Sequence, residues 1–172
     1  MPRRASPDTY AVRVLFVCLG NICRSPTAEG VFRAACEQVG LADHVFADSA
    51  GIGNWHIGSP PDRRAIQAAR RRGYDLTALR GRQVVPSDFD RFEWILAMDL
   101  SILRALEAMR PPTYDGHLGL LLDLVPAIGM REVPDPYYGG LDGFERVLDL
   151  VEQASPGLIA RIRNHIDVAP ER

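Results

Sequence analysis

Cys18 and Arg24 are separated by the five residues Leu19-Gly20-Asn21-Ile22-Cys23, and Ser25 and Pro26 follow directly. A loop of that length can bring a sulfur nucleophile and a planar guanidinium to one point, with room for a tetrahedral oxyanion between them. Cysteine attacks as the thiolate, a form that a nearby cation and a helix N-terminus both favour. Arginine supplies a permanently charged fork that matches two phosphoryl oxygens. Successive N–H groups of a tight loop entering a helix make an anion-binding nest. The bare spacing arises often by chance and also suits a Gly-Asn turn beside a buried cysteine, so its flanks must give it weight.

Those flanks are informative. Val12, Val14, Leu15, Phe16 and Val17 form a near-continuous apolar run, as in a strand buried on both faces of a parallel sheet. Gly20 and Asn21 tolerate left-handed backbone. Ser25-Pro26 reads as a helix start, with Ser25 as N-cap, Pro26 first in the helix and Glu29 in its first turn; the helix should stop at Gly40. Val45 to Gly51 reads as a second strand, Pro61 to Arg72 as a helix closed by Gly73, Trp94 to Met98 as a third strand, and Leu100 to Met109 as a helix. Residues 111 to 135 read poorly, with a fourth strand placed within Leu118 to Val125. Phe144 to Ile166 has helical spacing, and Pro156 is expected to kink or split it. Alternating strands and helices without repeats predict an α/β single domain with a parallel sheet, whose ligands bind beyond the strand C-termini. Cys18, Ser49 and Asp99 all fall at such ends.

Composition narrows the chemistry. The 172 residues suit one domain, and a net charge of −2 gives no basic field for nucleic acid or an anionic membrane. All 20 basic residues are Arg, which removes Schiff-base chemistry and the usual phosphate-loop lysine. No apolar run reaches the roughly 18–20 residues of a membrane helix, and residues 1–10 lack a signal-peptide pattern; the reading is a cytoplasmic protein with a flexible N-terminus over 1–10 and a domain over 11–168. Three cysteines, Cys18, Cys23 and Cys36, argue against a disulfide framework, and Cys36 reads as core. The four His are scattered, with no metal-ligand spacing. Neither a metal nor a cofactor is expected.

Several ordered motifs together resemble the low-molecular-weight protein tyrosine phosphatases: Val17 to Pro26, Asp48-Ser49-Ala50-Gly51, Trp55-His56 with Gly58 and Pro60, Ala97-Met98-Asp99, and Asp135-Pro136-Tyr137-Tyr138-Gly139. The likeness runs from about Val14 to about Val151. It implies a four-stranded parallel sheet flanked by helices on both faces, with the phosphate-binding loop after the first strand. It also implies metal-independent hydrolysis of phosphotyrosine through a cysteinyl-phosphate.

In the roles this resemblance implies, Cys18 attacks phosphorus while Arg24 and the amides of Leu19, Gly20, Asn21, Ile22 and Cys23 hold the oxygens. Asp135, otherwise readable as a turn residue, protonates the leaving phenolate and then activates water, a role worth ~10²–10⁴ in rate. Ser25 would hydrogen-bond the thiolate, Asn21 would fix the loop with Ser49 behind it, and Asp99 would orient Arg24 or cap the following helix. Trp55, Tyr137 and Tyr138 would wall an aryl-sized cleft, and Cys23 resembles a redox partner of the nucleophile. Phosphotyrosine proteins are the implied substrates, a cognate tyrosine kinase a further partner, and a monomer the expected state.

Two positions depart from the family pattern. Leu79 stands where many relatives carry a histidine that supports the loop asparagine, and Ile102 where many carry Asn, so loop rigidity is the property in question. Two alternatives compete. A thiol-dependent arsenate reductase would need redox cysteines after Cys36, and none occurs. A catalytically weak phosphotyrosine-binding module would have no use for Asp135.

Overall fold

Alternate residues of Val12–Cys18 (β1) face opposite sides of a sheet and are buried on both. Val12, Val14, Phe16 and Cys18 enter one core cluster; Leu15 and Val17 enter the other. This two-sided burial is why β1 reads as a continuous apolar run. It lies inside a four-stranded parallel sheet of order β2-β1-β3-β4, with Val45–Gly51 as β2, Trp94–Ala97 as β3 and His117–Leu120 as β4. The computed structural model describes residues 9–168; apart from Thr9 and Tyr10, the segment expected to be a flexible N-terminus lies outside them. Tyr10 packs its ring on Phe46, centroids 5.4 Å apart.

On one face lie α1 (Arg24–Gln38), α2 (Arg63–Arg71) and the long α5 (Leu141–Val168). The other face is covered by α3 (Asp88–Arg91) and α4 (Leu100–Met109), through Phe89, Ile102 and Leu106. The α/β reading therefore holds, with helices on both faces.

Several boundaries differ from the sequence reading. The helix after β1 begins at Arg24, one residue before the Ser25 that was expected to cap it. The Ser25 hydroxyl is turned onto Cys18 and Asn21, so it does not serve the helix amides. Glu29 consequently falls in the second turn and points inward to Ser49. α2 is opened by Asp62, whose carboxylate accepts the Arg64 N–H at 2.8 Å, and not by Pro61. The fourth strand is shorter than Leu118 to Val125: Leu122–Leu124 and Pro126–Ile128 are 3-10 turns. α5 runs unbroken through Pro156. The Ser155 hydroxyl donates to the Val151 carbonyl at 2.8 Å, which gives an oxygen near the proline a partner.

Candidate active site

The loop after β1 is shaped by where its carbonyls go. Cys18 O accepts from Ile52 N at 3.0 Å, Leu19 O from Gly53 N at 2.9 Å, and Ile22 O from Asp62 N at 2.8 Å. Cys23 O accepts from the Thr27 hydroxyl at 2.7 Å. In a trans peptide the N–H lies opposite the C=O, so these four outward carbonyls turn the N–H groups of Leu19, Gly20, Cys23 and Arg24 toward the cleft. α1 adds its N-terminal end at the same point. Gly51 is what lets the loop lie this close to β2, because a Cβ there would come within 2.9 Å of the Leu19 carbonyl oxygen.

The Cys18 sulfur is ringed by donors: Ser25 Oγ lies 2.9 Å away and the Asn21 N–H 3.3 Å. Asn21 Nδ2 donates into Ser25 Oγ at 2.9 Å, which leaves the Ser25 proton for the sulfur at 2.9 Å or the more distant Ala50 carbonyl at 3.4 Å. Asn21 itself is the one non-glycine described residue with positive φ, at 57°. Its second Nδ2 hydrogen goes to Ser49 Oγ at 3.0 Å, and Ser49 passes its own to the buried Glu29 at 2.8 Å. Its Oδ1 takes the main-chain N–H of Arg82 at 3.0 Å, so every polar group of the Asn21 side chain is engaged.

Arg24 is buried and held along one edge: Nη1 donates to Asp99 Oδ2 at 2.6 Å and to the Val133 carbonyl at 3.0 Å. Asp99 also caps α4 by accepting the Ile102 N–H at 2.9 Å. The other edge of the Arg24 fork borders the cleft, where Nη2 stands 3.8 Å from Asp135 Oδ2. Asp135 is 43% exposed, and its Oδ1 accepts the Tyr137 N–H at 3.1 Å. Leu79 packs against the core and Ile102 is a buried residue of α4 itself.

Cys18, Leu19, Gly20, Ile22, Cys23, Arg24, Trp55, His56, Asp135, Tyr137 and Tyr138 line one cleft of about 290 Å³. Trp55 and Tyr138 stand well out at its rim, 66% and 94% exposed. Burial, reinforced by the nearby charges of Asp62, Cys18 and Asp135, pushes the Cys23 thiol up to about 12. His56, Glu29, Arg82 and Asp62 were not singled out from sequence as parts of the site. His56 was legible only as a motif neighbour of Trp55, and the Arg82 contribution is a main-chain donor that no side-chain pattern signals.

A family model, the low molecular weight phosphotyrosine protein phosphatases, matches residues 13–168. The chain belongs to this family. The phosphatase is 48% identical over 158 residues to the low molecular weight protein-tyrosine-phosphatase of Streptomyces coelicolor, covering 90% of this chain and 96% of that one. Its structure is similar to that of YfkJ from Bacillus subtilis, with a TM-score of 0.84 and 41% identity over 94% of this chain and 98% of that one. It also superposes on a protein tyrosine phosphatase from Entamoeba histolytica, with a TM-score of 0.86 and 39% identity over 90% and 99% of the two chains. Like its family, the phosphatase is an enzyme that hydrolyses protein phosphotyrosine by a cysteine-based mechanism.

Proposed function

We propose that Cys18, Arg24 and Asp135 carry the two chemical steps. Cys18 Sγ attacks phosphorus in line, forming the S–P bond as the aryl O–P bond breaks, and Asp135 gives its proton to the departing phenolate. Water then attacks the cysteinyl-phosphate, Asp135 takes its proton, and the thiolate leaves. The Ser25 hydroxyl 2.9 Å from Sγ supports the thiolate at both ends of this cycle. The inward amides and the cleft-facing edge of Arg24 receive the equatorial oxygens, whose charge grows in the transition state. The observation that carries the reading is the placement of Asp135 against Arg24 at the mouth of the cleft that Cys18 floors.

The exposed rings of Trp55, Tyr137 and Tyr138 support a preference for flat aryl phosphates over shorter alkyl ones. Cys23 lines the same cleft as Cys18, which supports it as the thiol that traps an oxidised nucleophile as a disulfide. Among the described residues no helix is long and apolar enough to cross a membrane. A monomer acting in the cytoplasm against the products of a cognate tyrosine kinase completes the proposal. Turnover of p-nitrophenyl phosphate in the presence of chelator tests it. Activity retained there and abolished in Cys18→Ser is expected; dependence on added metal would overturn it.

A further inference from the structure

The segment carrying Asp135 has little of its own to hold it. Residues 134–139 bond among themselves, Tyr137 N–H to Asp135 and Gly139 N–H to the Pro136 carbonyl. Among the described residues, one hydrogen bond reaches them from another element: Arg64 Nη2 of α2 donates to the Tyr137 carbonyl at 3.1 Å. The same guanidinium lies over the Tyr137 ring, 5.5 Å from its centroid, and over the buried Phe144 ring at 4.6 Å.

Arg64 is in turn locked. Its Nε and Nη2 bond both oxygens of Asp62, at 3.1 and 2.9 Å, a bidentate pair whose direction is fixed by the planarity of both groups. Asp62 is only 13% exposed, and its own main-chain N–H donates to the Ile22 carbonyl in the phosphate loop at 2.8 Å. Asp62 and Arg64 thus form a bracket with one end on the loop that holds the phosphoryl group and the other on the loop that carries the acid. The Tyr137 residue gripped by Arg64 is the one whose N–H holds Asp135 Oδ1.

We propose that Arg64, seated by Asp62, is a positioning residue that fixes the Asp135 carboxyl relative to the Cys18–Arg24 loop for proton donation to the leaving group. The inference rests on reading Asp135 as the general acid. Arg64 touches neither the phosphoryl group nor the acid directly, so its removal leaves phosphate binding intact and blurs the placement of the proton donor. A misplacement of about 1 Å in such a group costs up to ~10²-fold in rate.

The test compares kcat/KM for phenyl phosphate, whose leaving group needs a proton, with that for 2,4-dinitrophenyl phosphate, whose leaving group does not. The variants are wild type, Arg64→Met, Arg64→Lys, Asp135→Asn and Arg64→Met with Asp135→Asn. Inhibition by inorganic phosphate and thermal melting are measured alongside. Arg64→Met is expected to lower kcat/KM for phenyl phosphate ~10-fold and for the dinitrophenyl ester less than about twofold, with phosphate inhibition unchanged. Arg64→Lys, which keeps the charge and one donor, recovers part of the loss and serves alone where the Met variant does not fold. In the double variant, Arg64→Met adds no further leaving-group dependence. Equal losses for both esters in the Arg64 variants, or no loss, while Asp135→Asn is selective, would overturn the role of Arg64. Absence of selectivity in Asp135→Asn itself would overturn the acid assignment, and this inference with it.

Discussion

The main-chain N–H of Arg82 donates to Oδ1 of Asn21 at 3.0 Å, closing from across the sheet edge the last polar group of the residue that shapes the phosphate loop. This bond answers the question raised by Leu79. Arg82 is itself pinned: its guanidinium bonds Asp48 at 3.0 Å and the fully buried Asp88 at 3.0 and 3.1 Å. A backbone donor held by two carboxylates thus engages Asn21 Oδ1 where Leu79 offers no side-chain partner. The loop keeps a complete set of supports.

Asn21→Ala is accordingly expected to weaken inhibition by inorganic phosphate ~10-fold or more and to lower stability by about 1–3 kcal/mol, since three hydrogen bonds, two of them buried, go with the side chain. Leu79→Ala should alter phosphate inhibition less than about twofold, because Leu79 contributes only packing. Inhibition constants and urea denaturation check both. A large loss of phosphate affinity in the Leu79 variant would contradict the substitution of one support for another.

Ser25→Ala removes the hydroxyl 2.9 Å from the Cys18 sulfur. That donor matters most when the thiolate is expelled in the second step, so kcat should fall ~10–10²-fold. Stopped-flow turnover of p-nitrophenyl phosphate should then show a burst of nitrophenolate close to one per enzyme. Unchanged kcat and no burst would count against the role given to Ser25.

Of the three thiols, Cys18 should react with iodoacetate first, since its sulfur lines the cleft with Ser25 Oγ and the Asn21 N–H against it, and inorganic phosphate should protect it. Burial pushes both Cys23 and Cys36 up to about 12, which keeps them protonated and slow. Peptide mapping by mass spectrometry reads this directly. Early labelling of Cys23 or Cys36 at neutral pH is the contrary result.

Asp62, Asp123 and Glu145 are each held below the ordinary carboxylate range, chiefly by hydrogen bonds from Arg64, Arg131 and Arg72 respectively. A depressed native pKa means that the unfolded chain binds more protons in that range, so the stability these groups contribute is complete above the ordinary carboxylate values near pH ~4 and is lost as pH falls from there through the depressed native values. Asp62 is the least exposed of the three and carries the clearest share, since solvent screens the others. Asp62→Asn keeps the helix cap but not the charge. Urea midpoints should therefore fall less steeply with acid in this variant than in wild type; equal slopes would remove Asp62 from the account.

Much of this site was legible because its chemistry is local. Cys18, Arg24 and the small residues between them sit in one loop, and β1 announces itself by two-sided burial. Asp135 lies far along the chain, and only the resemblance joined it to Cys18. Ser25 was misplaced as a cap because a Ser-Pro pair gives the same signal whether its hydroxyl serves the helix or the sulfur. The helix Asp88–Arg91 is a single turn, too short for periodicity to register. The bracket of Asp62 and Arg64 was hidden for a different reason: it acts through the carbonyls of Ile22 and Tyr137, and a carbonyl has no letter in the sequence.

In the proposed mechanism phosphate passes through a covalent bond to Cys18. Acid quenching of the Asp135→Asn variant during turnover of 2,4-dinitrophenyl phosphate, whose leaving group needs no proton so that only breakdown of the intermediate is slowed, followed by mass spectrometry of its peptides, is the sharpest test. A phosphoryl group is expected on the peptide containing Cys18, lost in Cys18→Ser together with turnover. Hydrolysis persisting in Cys18→Ser, with no phosphocysteine trapped, would contradict it.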